Sequence, residues 1–331
     1  MTQTNLLEQI ARKRMHNLYL SRTCADLETL SHELMGLHSW FYRNVAFSAL
    51  IRGADITGWK TKLTKTWLYR GTLHGVVYED IPRLLALHQG ESYLAGMFGR
   101  QLIDSAAEEV IRLMEDGVNS RAEFRQIFRA QYSPEMVEAL FSPWGGIFVY
   151  LARQGRVAFR DMTSRDFDLI SAEPTQTFED VLPELVRQFF AVYGPATLSD
   201  AAWFFGFWKE ESSVLRKLPL DDLFRFELNG TRYYDASDDE TADIPALTLL
   251  SGFDPIIVSY TDRSAVLPVE YKSKVVLKSG ICNPTIALDG RIAGIWNITK
   301  NEPVVEFFSQ QPKRVVAEAK ARVDAIRWRT R

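Results

Sequence analysis

The chain has 331 residues, of which 46% are hydrophobic, and its formal net charge is −3 at pH 7. This length and composition suffice for a large core spread over two to four compact units, and the charge excludes a polycation that binds phosphate over its whole surface. The longest apolar run, residues 201–208, is far shorter than the ~20 residues that span a bilayer. Since the chain also opens without a signal-peptide pattern, we predict a cytoplasmic protein without membrane contact.

Three segments repeat one plan, in which a short helix with a polar cap precedes a second helix and a β-ribbon with a tight turn. In the first copy, a helix over "TCADLETLSHELMGLHSW" (residues 23–40) is followed by a helix near residues 42–51. A ribbon in "TKTWLYRGTLHGVV" (residues 64–77) closes the copy. Helix, helix and ribbon is the plan of a winged helix, which places its second helix in a DNA groove.

The second and third copies carry clearer local signals. In the second, "SRAEFRQIF" (120–128) begins at a serine cap, the helical run 134–155 is interrupted by Pro143 and Gly145-Gly146, and "RVAFRDM" is strand-like. In the third, "PATLSDAAWFFGF" (195–207) and "KEESSVLRKL" (209–218) are predicted helices. Asn229-Gly230 then predicts a hairpin in "LFRFELNGTRYYD".

From Leu247 the pattern changes to short β-rich runs separated by turn residues, namely "IIVSYTD" (256–262), "SKVVLK" (273–278), "PTIALDG" (284–290) and "RIAGIWNITK" (291–300). Asp289-Gly290 is a second hairpin signal. These runs predict a small β-barrel or sandwich, closed by a helix at 312–328 whose apolar face holds Val315, Ala319, Val323 and Ile326. The whole pattern predicts an α+β protein with domains 1–90, 91–172, 173–240 and 241–331, of which the first three are winged helices.

The two cysteines and the charged runs indicate little specific chemistry by themselves. Cys24 and Cys282 lie far apart, which fits neither a disulfide framework nor a zinc site, and we expect no metal and no cofactor. A charge run is usually a solvated face, and that interpretation is open for Arg12 to Arg14 and for Lys60, Lys62 and Lys65. The three lysines are equally candidates for contact with a DNA backbone. The acidic residues between Asp235 and Asp243 predict a solvated linker that points away from DNA.

Several segments resemble a known family. These are "TWLYRGTLHGVVYEDIPRLL" (66–85), "GPATLSDAAWFFGF" (194–207), "LLSGFDPIIVSYTDRSAVLP" (249–268) and "NPTIALDGRIAGIW" (283–296). They are similar to the tandem winged-helix proteins that include the AlkZ/YcaQ-like DNA glycosylases. The resemblance implies three winged helices in a C shape and a C-terminal β-barrel, which together cradle double-stranded DNA with a damaged base. It also implies cleavage of the N-glycosidic bond of alkylated or crosslinked purines without a metal or organic cofactor, and we expect a monomer.

The resemblance points to "GLHSW" (residues 36–40) as the catalytic segment. Family members carry a Gln-x-Gln or Gln-x-Asp pair there, so His38 stands at the first catalytic position and Trp40 at the second. Neutral His38 can accept a proton from a water molecule, whereas the Trp40 indole has a donor and no acceptor. Three hypotheses follow: a monofunctional glycosylase that acts on N3- or N7-alkylated purines, a non-catalytic DNA-binding regulator or damage sensor, and, last, a protein-interaction scaffold.

Further candidate DNA contacts surround this segment. Arg70, Thr72 and His74 alternate in "RGTLH", so on a strand they would face one side together. We expect Arg70 to touch a phosphate and His74 to lie near the pocket of His38. Arg43 and Arg263 are further basic candidates for DNA contact.

Overall fold

The computed structural model describes residues 3–87, 92–207, 209–238 and 243–329. The chain divides into two compact units, one formed by residues 1–57 and 183–331 and the other by residues 58–182. The division into four domains, the number of winged helices and the C shape stay predictions. Within the described ranges, no helix is long and apolar enough to cross a membrane.

The first unit is formed by the two ends of the chain. Its helices are Gln3–Asn17, Leu27–Glu33, Arg43–Ile51, Leu198–Phe205, Lys209–Leu215, Pro255–Val258, Lys272–Val275 and Lys313–Arg329. Its strands are Leu37–His38, Phe224–Leu228, Thr231–Asp235, Leu247–Leu250, Thr285–Leu288, Arg291–Thr299 and Glu302–Phe307. Along the sequence, the helix Phe178–Tyr193 connects the second unit to the C-terminal part of the first unit.

The third repeat has the local structure that its sequence predicts. Thr197 and Asp200 form a reciprocal capping box at the start of the helix Leu198–Phe205, which satisfies two of its free amide groups. The strands Phe224–Leu228 and Thr231–Asp235 pair as a hairpin. Asn229 and Gly230 turn it with φ of 52° and 74°, the left-handed backbone that a two-residue hairpin loop requires.

The C-terminal region differs from the predicted barrel. Its strands form an antiparallel sheet in the order 302–307, 291–299, 285–288 and 247–250, and the described residues form no closed barrel. The predicted strands 256–262 and 273–278 are wrong, because the helices Pro255–Val258 and Lys272–Val275 occupy these segments. Asp254 caps the first of these helices and Pro255 begins it, and both residues favour a helix start.

The predicted hairpin at Asp289-Gly290 and the predicted last helix are confirmed. Asp289 and Gly290 have φ of 47° and 82° and join two paired strands. The helix Lys313–Arg329 buries Ala319, Val323 and Ile326.

The second unit surrounds one aromatic core. Its α-helices are Ile81–Leu85, Tyr93–Phe98, Arg100–Glu115, Arg121–Phe128, Pro134–Leu140 and Ile147–Arg153. Its strands follow the order 73–76, 64–67, 157–159 and 167–169, so the ribbon predicted for the first repeat pairs with the strands of the second. Phe148 and Phe167 stack at the centre of the core, with ring centroids 3.8 Å apart. Since aromatic pairs add stability beyond the area that they bury, these rings stabilise the unit together with the aliphatic side chains of the same core.

Candidate functional site

His38 lies on a short strand just after a helix, and the prediction of one helix through Trp40 is wrong. The helix ends at Glu33, and the backbone then turns through Met35 and Gly36, with φ of 52° and 106°. The Gly36 amide closes the turn by donating to the Ser31 carbonyl at 2.7 Å. This is a helix-ending turn of the kind that glycine permits, and it starts the strand Leu37–His38.

Side chains from the helix Phe178–Tyr193 hold this turn in place. The Tyr193 hydroxyl donates to the Leu34 carbonyl at 2.7 Å, and Gln188 Nε2 donates to the His32 carbonyl at 2.9 Å. The Tyr193 bond satisfies a carbonyl group at the C-terminal end of the helix, and the Gln188 bond adds a further donor to the His32 carbonyl, which also accepts from the Met35 amide at 3.1 Å. The backbone that leads to His38 is therefore anchored on two sides.

The side chains of residues 38–40 alternate between the outside and the inside of the unit. His38 is half-buried, Ser39 is fully buried, and Trp40 is 36% exposed. His38 and Trp40 therefore both lie toward the outer face of the unit, on either side of the buried Ser39. Phe41 and Tyr42 are also exposed, so the segment presents a run of aromatic rings around the imidazole.

The ring of Phe253 supports His38. The imidazole stacks on it with centroids 4.3 Å apart and ring planes within 1° of parallel. Phe41 approaches the same ring, with centroids 6.1 Å apart. Phe253 adopts a φ of 55°, which is uncommon for a bulky residue and is maintained only where the surroundings enforce it. Sequence reasoning missed this residue.

A buried ion pair enforces the Phe253 conformation. Arg52 donates from Nη1 and Nη2 to the two carboxylate oxygens of Asp254, at 3.1 and 2.8 Å. Asp254 also accepts from the Ser251 amide at 3.2 Å. At Gly252 an added Cβ would lie 2.8 Å from Asn44 Nδ2, so a larger residue there would displace the Asn44 side chain. The loop 251–254 is thereby locked on both sides of Phe253.

The hydrogen bond to the imidazole limits what His38 can do. The Trp40 amide donates to His38 Nδ1 at 3.5 Å, a long bond. A neutral imidazole that accepts at Nδ1 carries its proton on Nε2. In this state Nε2–H can orient a water molecule by donating to it, and Nδ1 becomes a base once the long bond to Trp40 opens.

Arg70, Thr72 and His74 do not share one strand face as predicted. Arg70 lies in a tight turn with a φ of 53°, and the Thr72 hydroxyl donates to the Tyr69 carbonyl in the same turn at 2.9 Å. Only His74 is on a strand, where it is buried with Nδ1 3.1 Å from the Thr72 carbonyl. Since Gly71 also has positive φ, a turn interrupts the alternation. A DNA contact of Arg70 stays a prediction, as does a shared pocket of His74 and His38.

The other basic candidates differ in exposure. Arg43 begins the helix Arg43–Ile51 and is exposed, with its guanidinium carbon 6.0 Å from the Tyr42 ring centroid. Lys60 and Lys62 are exposed as well. Arg263 is half-buried, and its Nε donates to the Ile257 carbonyl at 2.7 Å, which is a bond that fixes the end of a helix.

Lys65 is buried, in contrast to its two neighbours in the charge run. Its Nζ donates to the carbonyls of Met162 and Ser164 at 3.3 and 3.4 Å and lies 4.3 Å from the Phe159 ring centroid. Burial lowers the pKa of Lys65 below its ordinary value of 10.5, and Asp161 partly opposes this change. In this conformation the ammonium group lacks the exposure that a phosphate contact needs.

Lys65→Met should lack a pH dependence of stability that the wild type has. Between the lowered pKa and about 10.5, the unfolded chain binds more protons at Lys65 than the folded chain does. The free energy of unfolding of the wild type therefore rises with pH in that window. In urea titrations at pH 7 and pH 10, we expect the wild type to gain stability relative to the variant. Lys60→Met, which replaces an exposed lysine, is the control. If the difference in stability between the wild type and Lys65→Met were the same at both pH values, the Lys65 ammonium group would be hydrated in the folded protein.

Two other charged runs are also more buried than their sequences suggest. Asp235, at the start of the predicted solvated linker, is buried and pairs with Lys13 Nζ at 3.1 Å. Burial raises the pKa of Asp235, and Lys13 acts in the opposite direction. Arg14 is buried with its guanidinium carbon 3.7 Å from the Tyr260 ring centroid. Residues 239–242 of the acidic stretch lie outside the described residues.

An exposed basic segment of the first unit, residues 272–278, was also missed. Lys272, Lys274 and Lys278 are exposed, and so are the apolar side chains of Val269 and Leu277. Three lysines within seven residues were the available sequence signal, and the prediction of a barrel strand obscured it. Exposed ammonium groups beside apolar side chains fit the surface of a nucleic acid. In the part of the chain that the structure describes, no cluster of histidine, cysteine or acidic side chains could hold a metal ion.

Comparisons with known proteins agree on one family. The family described as "DNA glycosylase AlkZ-like" matches residues 60–326. An interstrand DNA cross-link repair glycosylase of Streptomyces sahachiroi is 26% identical over 274 residues, which cover 74% of this chain and 73% of that protein. The structure of the Streptomyces sahachiroi DNA glycosylase AlkZ matches with a TM-score of 0.77 at 24% identity and covers 98% of this chain and 97% of the other. That likeness shows a common fold.

Proposed function

Because the chain belongs to the AlkZ-like DNA glycosylase family, we propose that it hydrolyses the N-glycosidic bond of N3- or N7-alkylated purines in duplex DNA, with His38 as the residue that positions water. The observation that carries this proposal is the stack of His38 on Phe253, at a centroid distance of 4.3 Å. An imidazole held in one orientation beside exposed aromatic rings has the features of a prepared site.

The reaction suits an imidazole that orients a water molecule. As the base leaves, positive charge builds on the sugar, and the water must lie against that carbon. Alkylation at N3 or N7 makes the purine a better leaving group, so the protein has less to supply. Trp40 cannot hold the water by accepting from it, but its exposed ring can stack on the extruded base or on its neighbours.

The proposed DNA surface of the first unit combines Arg43 with the lysines of the basic segment 272–278. These cations are exposed, and each neutralised phosphate contributes ~0.9 to the slope of log affinity against log salt concentration. In the second unit, Lys60 and Lys62 have the exposure that the same role needs. The Streptomyces sahachiroi relative is an interstrand DNA cross-link repair glycosylase, which makes a crosslinked purine a further substrate to test.

The direct test is base release by the wild-type protein. A duplex that contains one N7-methylguanine is incubated with the protein without added metal, and the free base is measured by mass spectrometry. We expect free methylguanine and an abasic site that alkali converts into a strand break. A folded protein that binds the duplex but releases no base above a buffer control would contradict the proposal.

One observation favours a non-catalytic DNA-binding protein as the second candidate. The Trp40 amide occupies His38 Nδ1, the nitrogen that would have to accept a proton from water. If that hydrogen bond persists when DNA is bound, the site would recognise or hold a damaged base without cleaving its N-glycosidic bond. Salt-dependent duplex binding without base release from any alkylated or crosslinked purine would support this function.

A further inference from the structure

We propose that the second unit carries a groove that binds an unpaired DNA strand, with Trp144 as the stacking platform for a base and Arg153 as the phosphate contact. The groove has a volume of about 620 Å³ and is lined by the helices Tyr93–Phe98 and Ile147–Arg153 and by the turn at residues 142–146. Pockets for small ligands measure about 300–1,000 Å³, so the groove has room for a group the size of a nucleotide.

Trp144 lies in a turn whose backbone is held by hydrogen bonds. Its indole is 73% exposed, while its amide donates to Ser142 Oγ at 3.3 Å and Arg121 Nη1 donates to the Ser142 carbonyl at 2.7 Å. Gly146 has a φ of 59°, and an added Cβ there would lie 2.0 Å from the Leu140 carbonyl oxygen. The backbone of this turn is therefore constrained around an exposed indole.

Arg153 gives the groove a cation. Its side chain is half-buried, and burial lowers the pKa of its guanidinium group. Its buried Nε has no hydrogen-bond partner among the described residues. Arg100 lines the same groove and is exposed. Glu138, an acid of the lining, pairs with Arg125 at 3.1 Å. The lining therefore carries two guanidinium groups and one paired carboxylate, and Asp104 accepts a hydrogen bond from the Tyr150 hydroxyl beside it. The two cations of the lining favour an anionic ligand.

An unpaired strand of DNA fits both features. Its phosphates pair with guanidinium groups, and its bases can stack on an exposed indole in a way that bases inside a duplex cannot. An acidic peptide would also satisfy the cations, but it offers a planar group to the indole only where it carries an aromatic residue, whereas every nucleotide carries a base. DNA is also the polymer on which this family acts. The inference rests on family membership and is independent of the chemistry proposed for His38.

The test compares two undamaged probes that carry fluorescein, single-stranded dT12 and a 12-base-pair duplex, by fluorescence anisotropy. Stacking is worth about 1–3 kcal/mol per base, so Trp144→Ala should weaken dT12 binding about 5- to 150-fold and leave duplex binding within about twofold. Trp144→Phe should retain most of the affinity, because it keeps an aromatic face. Arg153→Gln should lower the salt slope for dT12 by about 0.7.

Arg129→Gln is the matched control, since Arg129 is an exposed arginine of the same unit outside the groove lining. Melting temperatures establish that each variant is folded. Three results would overturn the proposal: unchanged dT12 binding by Trp144→Ala, an equal loss for the duplex, or displacement of dT12 by a glutamate–tyrosine copolymer at lower concentration than by unlabelled dT12. Because neither probe carries a lesion, these results are distinct from a failure of the glycosylase proposal.

Discussion

His38→Ala is expected to lower the rate of base release from an N7-methylguanine duplex by about 10²- to 10⁴-fold, the usual contribution of a positioned acid–base group. The imidazole shares the outer face with Trp40 and is held by Phe253, so its removal leaves the water without an oriented partner. Binding of the uncleaved duplex should change little, because the exposed cations Arg43, Lys272 and Lys274 stay in place. Single-turnover rates and anisotropy titrations measure the two quantities separately.

Two further variants make this result specific. His32→Ala removes an exposed histidine from the preceding helix and should leave the rate unchanged. His38→Gln introduces the carboxamide that the family resemblance implies at this position, and it should keep more activity than alanine because its oxygen can accept from water. A rate for His38→Ala within about threefold of the wild type, from a protein that releases base, would remove His38 from the chemistry.

Loss of the hydrogen bond from Trp40 decides between the two functions. The Trp40 amide and His38 Nδ1 are 3.5 Å apart, and catalytic hydrogen bonds often change length when substrate binds. A small shift of the segment would free Nδ1 to accept from water. If the segment does not move, it would hold a base against the Trp40 ring, and the N-glycosidic bond of that base would stay intact.

Features set by short-range signals were predictable from the sequence. The Thr197 capping box and the turns at Asn229-Gly230 and Asp289-Gly290 each depend on residues within a few positions of one another. For the same reason the helix start at Asp254-Pro255 was available from the sequence, although the β-branched residues that follow masked it. Local turn chemistry outweighed β-propensity there, because propensity mainly reflects how side chains pack on a sheet.

Features set by long-range contacts were not predictable. Phe253 supports His38 from a distant part of the chain, and its left-handed backbone has no glycine to signal it. Lys65 resembles Lys60 and Lys62 in sequence, but the carbonyls of Met162 and Ser164 take up its ammonium. Alternation in "RGTLH" failed because a turn at Arg70 and Gly71 replaces the strand. The resemblance points to residues 36–40 as the candidate site segment, whereas the residues that support this segment became visible only in the fold.

Asp254→Ala is expected to destabilise the protein by about 3–5 kcal/mol, since removing one partner of a buried ion pair leaves the other charge uncompensated. Both side chains of the Arg52–Asp254 pair are 0% exposed. Arg52 would keep its bonds to the Leu18 carbonyl, at 2.8 Å, and to Ser48 Oγ, at 2.9 Å, but would lose its only carboxylate among the described contacts. Urea unfolding measures the change in the free energy of unfolding.

Asp254→Asn separates charge from shape in this prediction. The carboxamide keeps one acceptor for the loop amides of Ser251 and Ile256, so we expect a smaller loss than for alanine. Glu318→Ala is the surface control, because its pair with Arg322 at 2.7 Å is about half exposed and such pairs contribute about 0–1 kcal/mol. Since Asp254 also holds the loop that positions Phe253, the alanine variant should lose base release at temperatures where it is still folded. A loss below about 1 kcal/mol for Asp254→Ala would mean that water reaches the pair, and the proposed support of the His38 site would then need another source.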